Sequence, residues 1–120
     1  MRSENRIQNA VAVLLKGYET EADLYSEIRD LSLSQRRHLT AQKDLAAFCE
    51  LYGQKAGLLH VVDQIDAELT DAKTILMTAD PETYPCRKCL DDLLGSVTNI
   101  IEEICEIERE NAACLEKIPA

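Results

Sequence analysis

From residue 90 to residue 118 one row of side chains recurs at alternating steps of three and four. Its members are Leu90, Leu93, Val97, Ile100, Ile104, Ile107, Asn111, Cys114 and Ile118. This is a heptad seam, the pattern of a helix that lays one stripe along a neighbour. A second seam occupies residues 48 to 76: Phe48, Leu51, Lys55, Leu58, Val62, Ile65, Leu69, Ala72 and Leu76. Two long seams confine the chain to side-by-side helices and place its function on helix surfaces rather than in a catalytic pocket.

The spacing predicts a first helix over about residues 3–38, with Ser3 as its N-cap and Ile7, Val11, Leu14 and Tyr18 on its stripe. Ser favours that position because its hydroxyl accepts from a free amide of the first turn. Beyond Tyr18 the stripe blurs. Glu21 takes a core position, Leu24, Ile28 and Leu31 form a neighbouring row, and Gln35 ends the pattern. Gly17, costly in a helix interior, marks either a close crossing or nothing. A break is expected at residues 39–44, with Thr40 or Asp44 capping a second helix over about 44–78; the alternative is one continuous helix of more than seventy residues. The run Asp80-Pro81-Glu82-Thr83-Tyr84-Pro85 separates that helix from a third over about 86–118, because each proline removes an amide donor and disfavours helix before it. The expected fold is a single all-α domain spanning residues 1–120. It is an elongated antiparallel three-helix bundle, or a long helical hairpin plus a C-terminal helix, with coiled-coil-like packing.

Composition supports this and narrows the function. The 120 residues contain four Tyr, one Phe and no Trp, too few aromatics for an all-β fold. The net charge of −9 argues against nucleic acid and against an anionic membrane surface. The start is polar and the longest apolar run, Ala10 to Leu15, is too short to span a bilayer, so a cytoplasmic chain is expected. Five cysteines without an export signal are expected to be free and mostly buried, Cys114 on the seam among them.

Catalytic patterns are absent from the sequence. There is no Ser-His-Asp arrangement and no glycine-rich phosphate loop, and an enzyme is not expected. Cys86 and Cys89 form a CxxC beside Arg87 and Lys88, which could supply half of a zinc site or a redox couple. No second CxxC accompanies it and His38 and His60 stand apart, so no metal or cofactor is expected. His60 reads as a surface residue, and Asp63, Asp66 and Glu68 as a solvated helix face. Lys55 and Asn111 interrupt their seams; such residues fix register at some cost in stability, and Lys55 could equally snorkel outwards. Between Leu90 and Glu116 eight acids accompany a single arginine, flanking Ile100, Ile101, Ile104 and Ile107. An apolar stripe with an acidic rim suits an amphipathic helix from another protein.

The stretch Tyr25-x-x-Ile28-x-x-Leu31-x-x-x-Gln35-x-x-x-Leu39, then Asp44-Leu45, Phe48, and Lys55-x-x-Leu58-Leu59-x-x-Val62-x-x-Ile65-x-x-Glu68-Leu69 resembles the FlgN family of flagellar export chaperones. The last helix, with Asn99 and Asn111 in a Leu/Ile seam, is similar to the family's closing helix. The resemblance implies a small cytoplasmic chaperone. It would bind the amphipathic C-terminal segment of hook-associated (hook–filament junction) proteins and escort them to the flagellar export apparatus. It places partner binding on Val97, Ile100, Ile104, Ile107 and Leu115, on a last helix that loosens to accept its guest. The CxxC lies outside what the resemblance implies. The competing reading is a structural coiled-coil or adaptor protein that uses the same seams to form a homodimer.

Overall fold

The computed structural model describes residues 2–80, 82 and 86–118. It contains three long helices: α1 (Arg2–Arg37), α2 (Leu45–Met77) and α3 (Arg87–Glu116). The fold is all-α, as the seams predict. The helices run up, down and up. Gln35 of α1 meets Phe48 of α2 while Gly17 meets Leu69, so these two helices are antiparallel. Arg29 meets Glu103 and Arg36 meets Glu110, so α3 is parallel to α1.

The bundle is long and open. Its extents are 65 × 21 × 17 Å and its radius of gyration is 18.5 Å, where a compact chain of this length has roughly 14 Å. α1 packs along both other helices, whereas the backbones of α2 and α3 nowhere approach each other closely. α1 is therefore the spine. At one end Ala10, Val11, Leu14 and Tyr18 close a dry core with Leu69, Ala72, Leu76 and Leu90. Gly17 marks a close crossing here: a Cβ on it would lie 2.6 Å from Leu69 Cδ2.

Several boundaries differ from expectation. α1 is already helical at Arg2, so Ser3 lies inside its first turn and is not a cap. The break at residues 39–44 exists, but α1 first widens into a π-helical turn, His38–Gln42. The turn ends at Lys43, which adopts a left-handed conformation (φ 51°) and donates its amide to His38 O, as does Asp44 at 2.8 Å. Asp44 caps α2, its side chain accepting from Ala47 N at 3.0 Å. Thr40 instead bonds back to Arg36 O. Pro81, Thr83, Tyr84, Pro85 and Pro119 lie outside the described residues.

The α1 seam does not blur. Tyr18, Glu21, Ile28, Ser32, Gln35 and Leu39 are all buried on one continuous heptad row, whereas Leu24 and Leu31 are only half-buried. Helical geometry held the row in register and carried polar side chains into the interface. The cysteines are also not as expected. All five are free, but Cys49, Cys86, Cys89 and Cys105 are exposed and Cys114 is half-buried. No helix among the described residues is long and apolar enough to cross a membrane.

Candidate functional site

Because the backbones of α2 and α3 flank α1 without approaching each other closely, a groove remains between them. Its volume is about 440 Å³. Tyr25 and Ile28 of α1 form the floor, Tyr52, Ala56 and Leu59 of α2 one wall, and Ile101, Ile104 and Cys105 of α3 the other. The side chains are almost wholly apolar, yet Tyr52 is 59% exposed and Leu59 44% exposed.

The walls belong to a second set of heptad rows. On α2 the row is Leu45, Cys49, Tyr52, Ala56 and Leu59; on α3 it is Ile101, Cys105, Glu108, Ala112 and Leu115. Each row spans about 21 Å at 1.5 Å per residue. With the helices antiparallel, the two rows lie opposite one another. A helix of about two heptads laid between them would complete a four-helix bundle.

One polar cluster closes the floor. Lys55, 6% exposed on its α2 seam, donates to Ser32 Oγ at 3.1 Å and pairs with Glu108 of α3. Ser32 Oγ donates to Glu108 Oε1 at 2.6 Å. Asn111 Nδ2 donates to Ser32 O at 3.0 Å, and Gln35 Nε2 to Phe48 O at 3.0 Å. Gln35 Oε1 and Asn111 Oδ1 are buried with no protein donor among the described residues. Lys55 does not snorkel; it lies inward because Glu108 and Ser32 receive its charge. The Lys55 ammonium also lies 5.4 Å from the Tyr52 ring centroid, which ties that wall to the cluster. Burial first, then the charges of Glu21, Asp66 and Asp63, raises the Tyr25 phenol above its ordinary value.

The five partner-binding residues expected from the sequence are divided. Ile104 lines the groove. Val97 and Ile107 are buried inside the bundle, so their contacts are already taken, and Ile100 is half-buried. Leu115 is exposed and continues the α3 row. Asn99 is exposed, not on the seam, while Asn111 is buried. The acidic rim is largely neutralised within the chain: Glu103, Glu106, Glu108, Glu110 and Asp91 each pair with a basic side chain. Sequence reasoning missed the α2 wall and Tyr25. The signal was present in the four-three-four-three spacing of Leu45 to Leu59, but the stronger seam beside it masked it.

His60, Asp63 and Glu68 are exposed as expected, whereas Asp66 is half-buried against α1. Cys86 caps α3 in a left-handed conformation (φ 56°) and offers no side-chain bond. Among the described residues no three His, Cys, Asp or Glu side chains converge as metal ligands.

Fold and groove together define a class: an open three-helix bundle with an apolar groove between its second and third helices. Compared with protein-family models, with curated proteins and with solved structures, the chain matches none.

Proposed function

We propose that this chain is a helix-binding chaperone whose groove takes an amphipathic helix of about two heptads from another protein. The observation that carries the reading is the pair of unburied heptad rows on α2 and α3, which face each other across Tyr25 and Ile28. Burying them would remove apolar surface from water, the main drive for helix-in-groove recognition. The net charge of −9 favours a guest whose outward face is basic. Taken with the FlgN-like pattern over Tyr25 to Leu69, the guest is the C-terminal segment of a hook-associated protein. The chain holds that segment in the cytoplasm until the flagellar export apparatus receives it. Binding alone accomplishes this, without bond chemistry or a cofactor.

The test is titration of the C-terminal peptide from a hook-associated protein into the intact chain and into the double variant Tyr52→Glu, Leu59→Glu. Both positions are exposed, so the fold tolerates the change, and binding should weaken at least a hundredfold. Absence of binding to the unaltered chain would reject the reading. A second reading draws on the same exposed rows: two copies could bury them against each other as a structural adaptor dimer. Light scattering separates the two. A two-chain mass that survives dilution to nanomolar concentration and excludes the peptide favours the dimer.

A further inference from the structure

Glu21 occupies a core position on the α1 seam and is 4% exposed. It faces Asp66 across the α1–α2 interface, and its Oε1 has no donor in reach among the described residues. Two carboxylates so placed are both acceptors, and they repel. Only a proton between them turns the contact into a hydrogen bond. The neighbouring groups are Tyr18 and Tyr25 on α1 and Asp63 and Lys73 on α2; no α3 side chain enters the balance. Among the described residues Lys73 opposes these influences on Glu21, and it lies over the Tyr18 ring at 5.9 Å, so its charge is shared.

We propose that Glu21 and Asp66 form a proton-operated latch between α1 and α2, closed when one proton bridges the two carboxyls and open when both are charged. The protonation balance agrees. Burial, then the hydrogen bond to Asp66 and its charge, raises Glu21 from 4.5 to about 8, against the pull of Lys73. The folded chain therefore holds this proton more tightly than the unfolded chain does. The resulting stabilisation is fully present below about pH 4.5, declines above it and is lost as pH rises through about 8. Tyr25 lies one turn from Glu21 and forms the groove floor, so the latch sits beside that end of the groove. The latch stands whether or not the groove binds a partner.

The test is a carbon-13 NMR titration of the Glu21 carboxyl in the intact chain, assigned through bonds, from pH 4 to 10. A midpoint near 8 is expected, moving down in Asp66→Asn. Glu21→Gln mimics the protonated form, because its amide can still donate to Asp66. Its melting temperature should match the unaltered chain near pH 4, exceed it increasingly as pH rises from about 4.5 to about 8, and keep that excess at higher pH. A midpoint within one unit of 4.5 overturns the proposal, as does a Glu21→Gln profile that tracks the unaltered chain at every pH. If the variant fails to fold, the titration of the unaltered chain decides alone.

Discussion

Gly17 and the Lys55–Glu108 pair are the residues on which packing can be tested most directly. Gly17→Leu adds helix propensity but drives four carbons into the buried Leu69 side chain. Overpacking of this kind costs about 1–3 kcal/mol, more than the propensity gain of about 1 kcal/mol. The variant should be less stable by urea denaturation; equal or greater stability would mean that α1 and α2 separate easily at this crossing. For the ion pair, the two partners are unequal. Lys55 is buried, whereas the Glu108 side chain is 39% exposed. Glu108→Ala strands a buried cation and should cost about 2–3 kcal/mol, at or below the low end for a broken buried pair. Lys55→Met leaves Glu108 access to water and fills the same space, so it should cost less. The reverse order in denaturation would place the stranded charge on the wrong partner.

At the scale of elements, the junction between α1 and α2 is built without glycine. Lys43 holds a left-handed conformation that costs an L-residue about 1 kcal/mol or more. Lys43→Gly should therefore stabilise the chain by about 1 kcal/mol, read as a shift in the urea midpoint at unchanged slope. The same residue explains what the sequence withheld. A glycine there would have announced the helix end, whereas Lys43 left the choice between Thr40 and Asp44 as the cap open. Helix type, number and order were legible because the seams of α2 and α3 keep strict spacing for four turns or more. The polar half of the α1 seam was not, because Glu21, Ser32 and Gln35 are buried through partners on other helices, namely Asp66, Glu108 and Phe48. Half of the groove was legible in Ile101 and Ile104; the α2 wall was hidden because Tyr52, Ala56 and Leu59 stand beside a better seam.

For the whole molecule, the groove makes shape and partner inseparable. Small-angle scattering of the free chain should give a radius of gyration well above the roughly 14 Å of a compact chain, close to the 18.5 Å of the Cα trace. A guest seated between α2 and α3 would thicken the rod with little change in its length. The spine arrangement has a further consequence, for mutational tolerance. α1 packs along both other helices, whereas α2 and α3 pack chiefly against α1. In a saturation library scored for folded protein, Leu14 and Ile28 should accept the narrowest range of substitutions. Val62 and Val97, equally shielded from water, should accept more, so the chain's early third is the least free to drift.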